Sequence, residues 1–282
     1  MTFPDSGPLV DAAWLKAHIG DPSLRLLDAT FLLPGAQPSR NPADIIPGSI
    51  RFDVDAVKDP ASSLPHMLPP APVFRSEVEA RGIGSDHEIV CYDREGFAGA
   101  ARCWWMFRTF GHDKVRILDG GLDAWLAAGG ALANAYAGYP ATTFEPHPRD
   151  ELVRSADDVL ASLAAKTAAV LDARPAGRFQ GTVPEPRPGL RSGHMPGAKS
   201  LPASSLLDAS GRYLLPADEL KDKFAALGTD DGPIIASCGS GMTACVIAVA
   251  AAAATGRTDV AVYDGSWTEW GARNDLPVTT GE

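Results

Sequence analysis

The 282 residues are 45% hydrophobic and 21% charged, the balance of a folded globular protein and not of a disordered one. Twenty-five Lys and Arg against 35 Asp and Glu leave a formal charge of −10, which argues against nucleic acid and anionic membrane surfaces as partners. An anionic small substrate then needs a local cluster of arginines. The four cysteines, Cys91, Cys103, Cys238 and Cys245, show no C-x-x-C pair and no dense framework, so neither structural zinc nor a disulfide scaffold is expected.

In chain order, "MTFPDSGPLVDAAW" carries no basic segment and no apolar core of a secretory signal, so a cytoplasmic location is expected. "LVDAAWLKAHIGDPSLRLLDAT", from Leu9, reads as a short helix and a strand ending in Asp-Ala. "KDPASSLPHMLPPAP", from Lys58, is an irregular loop of the length that is often functional. "EIVCYDREGFAGAA" from Glu88 and "VRILDGGLDAW" from Val115 each give a strand, a small-residue turn and a helix start. The Pro-rich stretch 136–151 is expected to be a linker.

The plan then repeats. "LVRSADDVLASLAAKTAAVLDAR" from Leu152, "HMPGAKSLP" from His194, "PIIASCGSGMTACV" from Pro233 and "VAVYDGSWTEW" from Val260 echo the first half. Asp93 aligns with Cys238, Asp119 with Asp264 and Trp125 with Trp270, each 145 positions apart. Strands of continuous Val, Ile and Leu character alternating with helices predict parallel sheets covered on both faces. The expected architecture is α/β, with two domains of one topology at 1–135 and 152–282. The longest apolar run, Ala244 to Thr255, is too short to span a bilayer.

Two chemistries compete for "CGSGMTA" after the strand from Ile234. Gly239, Gly241 and Ala244 spell the G-x-G-x-x-A of a dinucleotide-binding loop, with Asp264 further on as a ribose acceptor, although that fingerprint normally opens its domain. Alternatively the small residues curl the backbone into a nest of N–H groups, and a helix from Met242 adds its positive end, so that Cys238 is a thiolate near neutral pH. A cysteine phosphatase is ruled against because position 244 is Ala where that loop needs Arg. Cys91, Cys103 and Cys245 read as packed core residues. Between 174 and 191, Arg174, Arg178, Arg187 and Arg191 punctuate a Pro-rich loop; Arg174, after Asp172, is expected in a structural ion pair, and Arg191 and His194 are open.

A tandem α/β repeat with a Cys loop only in its second copy resembles the two-domain rhodanese family. The loop C-G-S-G-x-T-A is similar to that of its 3-mercaptopyruvate sulfurtransferase branch and unlike the C-R-K-G-x-T of thiosulfate sulfurtransferases; Met242 stands where Val is usual. "HMLP", "CWWMFRTFGH", "LDGGLDAW", "GRFQGTVPEPRPGLRSGHMPGA" and "YDGSWTEWGA" carry the resemblance through nearly the whole chain. It implies two tandem rhodanese-like domains, each a mainly parallel sheet flanked by helices, with the first lending His66 and Asp55 to the second. It implies a Cys238 nucleophile, a substrate clamp of Arg178 and Arg187, and a pocket of Gly239, Gly241, Met242 and Thr243. It also implies a proton relay of Ser240, His66 and Asp55, for which Asp53 competes as the acid. The implied partners are 3-mercaptopyruvate and a thiol acceptor such as thioredoxin, another dithiol or glutathione, or else cyanide, with no metal or organic cofactor. The physics agrees on the donor, because this loop offers no cation to the two charges of thiosulfate. A thiosulfate:cyanide sulfurtransferase and a persulfide carrier module are the other readings.

Overall fold

Short strands of continuous apolar character cannot leave a face in water, so each half of the repeat builds a parallel sheet and covers both sides with helices. The structure, a computed structural model, describes residues 7–32, 35–229 and 232–281. It divides into two units, Met1–Pro60, Leu68–Arg149 and Ala209–Leu214 in the first, and Ala61–Met67, Asp150–Asp208 and Leu215–Glu282 in the second.

In the first unit the elements run β1 (Leu9–Val10), α1 (Ala12–His18), β2 (Leu24–Asp28), β3 (Ser49–Arg51), α2 (Ala71–Ala80), β4 (Glu88–Tyr92), α3 (Ala98–Thr109), β5 (Val115–Leu118) and α4 (Gly121–Ala127). The sheet order is β1-β5-β4-β2-β3, with every pair parallel. All residues of β2 and β4 are buried, as a doubly covered sheet requires. Asp11 caps α1 by accepting the Trp14 N–H at 2.7 Å. Gly99 lets α3 start over the end of β2: a Cβ there would stand 2.0 Å from the Ala29 carbonyl oxygen.

The second unit repeats this as β6 (Val153–Arg154), α5 (Ala156–Ala165), β7 (Ala169–Asp172), α6 (Ala176–Gln180), β8 (Lys199–Ser200), α7 (Ala217–Ala226), β9 (Ile234–Ser237), α8 (Ala244–Thr255), β10 (Ala261–Tyr263) and α9 (Ser266–Trp270). Its sheet order is β6-β10-β9-β7-β8, again all parallel. A capping box at Ser155 and Asp158 starts α5. Nearly every residue of the alanine-rich α8 is buried, so it is a core helix without a polar face. The aligned tryptophans do the same work in both units: Trp125 Nε1 donates to the Ala131 carbonyl and Trp270 Nε1 to the Pro277 carbonyl, each at 2.8 Å.

Two boundaries differ from expectation. The stretch expected as a linker from 136 belongs to the first unit as far as Arg149. The Tyr136 hydroxyl donates to Asp28 Oδ2 at 2.9 Å, the Arg25 guanidinium covers the Tyr139 ring, and Phe144 is buried against Phe74. Aromatic side chains between the prolines make it a packed strap. The segment Ala61–Met67, expected in the first domain, groups with the second unit and takes His66 with it.

The first unit shows what the turn after the fourth strand of the repeat is built to hold. The Asp93 carboxylate accepts the N–H groups of Glu95, Gly96 and Gly99 at 2.8, 3.2 and 3.1 Å. Burial nevertheless pushes its pKa up to about 6, the three N–H groups opposing. Between pH about 4 and 6 the folded chain therefore keeps a proton that the unfolded chain releases. Stability from this group is largest below that window and fades as pH rises through it, by at most about 3 kcal/mol. Unfolding of Asp93→Asn and of the parent protein between pH 4 and 7 checks this: the parent should lose stability relative to the variant as pH rises, and parallel curves would contradict it.

Candidate active site

Cys238 follows β9 directly and is 1% exposed. The carbonyls of its loop are tied back on one side. The Trp267 and Thr268 N–H groups of α9 donate to the carbonyls of Cys238 and Gly239 at 3.0 and 2.9 Å, and the Cys245 thiol donates to that of Gly241 at 3.3 Å. A trans peptide holds its N–H opposite its C=O, so these bonds turn the N–H groups of Gly239, Ser240 and Met242 the other way. None of these three meets an acceptor among the described residues. The outcome is a nest of donors suited to an anion. Helix α8 begins at Ala244, two residues later than expected from the sequence.

The remaining two N–H groups of the turn converge on one atom. Ser266 Oγ accepts from Cys238 and from Gly241, both at 3.1 Å, and donates to the Tyr263 carbonyl at 2.7 Å. Ser266 is fully buried and left-handed at φ 49°, where the first unit has Gly121 at φ 50°. Sequence reasoning missed Ser266 and Thr268. The signal was the contrast between "LDGGLDAW" and "YDGSWTEW", a hydroxyl where the non-cysteine half has glycine.

Arg178 comes to the same loop from α6. Its Nη2 lies 3.1 Å from where a Cβ on Gly239 would stand, so the missing side chain makes room for the guanidinium. Arg178 Nε donates to both Glu185 carboxylate oxygens at 3.2 Å, and Nη2 also bonds Glu185. Glu185, whose side chain is 1% exposed, also accepts from Arg174 Nη1 at 2.8 Å. Arg174 pairs with Asp172 at 2.6 Å and stacks 4.0 Å over Trp267. The four charges alternate and sum to zero. Arg178 keeps its Nη1 edge free of any partner among the described residues. Glu185 was also missed; its signal was a lone acid among the arginines and prolines of "PEPRPG".

Arg187 is half-buried and has no hydrogen bond or ion pair among the described residues. Arg191 is structural, its guanidinium donating to the carbonyls of Gly271, Leu276, Trp270 and Arg273. His194 is structural too, stacked 3.8 Å on Phe179 with Nδ1 donating to that residue's carbonyl. Ser240, Gly241 and Met242 are buried and Thr243 is half-buried. His66 is buried in the second unit with φ 61°. Asp55 is exposed in the first, lining a cavity of about 360 Å³ with Asp53, Arg51 and Arg94. Asp264, the ribose acceptor of the dinucleotide reading, is 2% exposed and closed to a ligand. Among the described residues no group of His, Cys, Asp or Glu converges as a metal site, and no helix is long and apolar enough to cross a membrane.

Ser266→Ala removes the hydroxyl that accepts from the Cys238 and Gly241 N–H groups and should cost about 2–4 kcal/mol in chemical denaturation. A change within about 0.5 kcal/mol would mean that Ser266 does not hold the turn.

The family model described as "Rhodanese-like domain" matches residues 11–128 and 155–273. The chain is 43% identical to the 3-mercaptopyruvate sulfurtransferase of Escherichia coli strain K12, covering 95% of this chain and 96% of that one. It is 42% identical to the mitochondrial thiosulfate/3-mercaptopyruvate sulfurtransferase 1 of Arabidopsis thaliana, covering 98% and 79%. Among solved structures it superposes on SseA from Escherichia coli, described as a 3-mercaptopyruvate sulfotransferase, with a TM-score of 0.82 and 39% identity over 93% of this chain and 99% of that one. Two tandem matches over most of the chain, the shared fold and a cysteine held in the turn of the second unit together establish that the chain belongs to the rhodanese family.

Proposed function

We propose that the chain is a 3-mercaptopyruvate sulfurtransferase. Sulfur transfer itself is supported by the relatives named above; the donor rests on the site. The observation that carries it is Arg178, whose guanidinium lies over Gly239 with Nη1 unpartnered among the described residues, beside a cysteine loop without a cation of its own. Glu185 already neutralises Arg178, so the loop suits a donor with one carboxylate, gripped by an arginine edge, better than a compact dianion. Arg187, without a competing acid, completes the clamp in this reading.

The Cys238 thiolate attacks the sulfur of 3-mercaptopyruvate. A sulfur–sulfur bond forms, the carbon–sulfur bond breaks, and its electron pair leaves with the carbon as pyruvate enolate. A proton delivered through Ser240 and His66 converts the enolate to pyruvate; a histidine suits the exchange of a proton near neutral pH. The Cys238 persulfide then gives its outer sulfur to an acceptor thiol, such as that of a dithiol protein, or to cyanide, and the thiolate returns. Donation of N–H groups to whichever sulfur anion is present is what the nest contributes. Use of thiosulfate is the second reading, favoured by the double name of the Arabidopsis thaliana relative.

Gly239→Ala tests the donor assignment, because its Cβ would press on Arg178. The kcat/KM for 3-mercaptopyruvate should fall about tenfold, equivalent to ~1.4 kcal/mol, while that for thiosulfate changes much less. Arg187→Gly should show the same bias. Equal losses for both donors would argue against a carboxylate clamp.

A further inference from the structure

Two cysteines of the first unit have no part in this chemistry and meet in its core. Cys91 lies in the middle of the sheet, on β4 between Leu27 of β2 and Ile117 of β5. Cys103 lies on α3, twelve positions on, and the two sulfurs are 3.0 Å apart. Both side chains are 0% exposed and both are free thiols. The separation is roughly 1 Å longer than a disulfide bond. The repeat supplies an independent view of the same crossing, because the 145-residue offset puts Ala236 of β9 and Ala248 of α8 at these positions. The half that carries Cys238 has two buried alanines at these positions, and the other half two thiols.

We propose that Cys91 and Cys103 are a redox modification site, a thiol pair that a peroxide converts to a disulfide tying β4 to α3 across the Asp93 turn. One sulfur attacks a peroxide oxygen, the O–O bond breaks and water leaves. The second sulfur attacks the resulting sulfenic sulfur and another water leaves. The two thiols lose two electrons, hydrogen peroxide gains two, and the balance is one disulfide and two waters. Burial selects the oxidant: a small neutral peroxide penetrates the core during local opening, whereas a bulky charged disulfide does not. Burial and the neighbouring sulfur also push the Cys103 thiol up, which keeps that thiol protonated and its reaction slow. The cross-link restricts the unfolded chain and so stabilises the first unit.

The test uses full-length Cys238→Ser, which removes the exchangeable nucleophile, treated after reduction with hydrogen peroxide or with oxidised glutathione. Peroxide should remove the mass of two hydrogens, yield a linked Cys91–Cys103 peptide, and raise the Tm by about 5 °C, all reversed by dithiothreitol. Oxidised glutathione should leave both thiols intact. In the same background Cys103→Ala should fold, as the alanines of the second unit do, and lose the mass change. Oxygen additions at Cys91 or Cys103 without a cross-link, linkage to Cys245 instead, or a glutathione adduct on either residue would overturn the proposal. So would intact thiols at a peroxide dose that fully oxidises Cys245.

Discussion

The half that carries Cys238 depends on one constraint: an anion inside a protein needs hydrogen-bond donors, and a turn exposes donors only if something else holds its carbonyls. Helix α9 does that holding. Trp267 and Thr268 donate to the first two carbonyls of the cysteine turn, and Ser266 accepts the N–H groups of Cys238 and Gly241. The same short helix also reaches Arg178, since the Trp267 ring supports Arg174, and Arg174 shares Glu185 with Arg178. One element thereby orients the donors around Cys238 and, through two ion pairs, the guanidinium at Gly239.

The first unit shows the same device with its chemistry removed. Asp93 fills its own turn with a carboxylate, and Leu122 donates to the Asp93 carbonyl as Trp267 does to that of Cys238. Gly121 sits so close that a Cβ would meet the Asp93 carbonyl oxygen at 2.1 Å. A side chain in Ser266's role therefore has no room there. A carboxylate that satisfies its own nest cannot also receive a substrate, and the first half keeps the fold of the second without its cysteine.

Most of the fold was legible because it rests on local patterns: buried strand runs, small-residue turns and the spacing of Asp93 against Cys238 and Trp125 against Trp270. The cysteine turn was legible for the same reason, being continuous in sequence. What escaped depends on contacts distant along the chain. Ser266 acts on a turn 28 positions earlier, and its hydroxyl looks like any small residue after a glycine. Glu185 matters only because α6 and Arg174 bring two guanidinium groups to it. The strap from Tyr136 was misread as a linker because proline content was weighed above the Tyr and Phe side chains that pack it. His66 shows the limit of assigning a loop by its neighbours in sequence, since its segment groups with the other unit.

The central claim is that the nest around Cys238 holds a sulfur taken from a mercapto-keto acid. The intact mass of the reduced protein after brief exposure to 3-mercaptopyruvate, with thiosulfate in parallel, tests it most directly. The account predicts a gain of one sulfur atom with 3-mercaptopyruvate, little gain with thiosulfate, and none in Cys238→Ser. A gain from thiosulfate alone would contradict the donor assignment, and no gain from either would contradict the nucleophile.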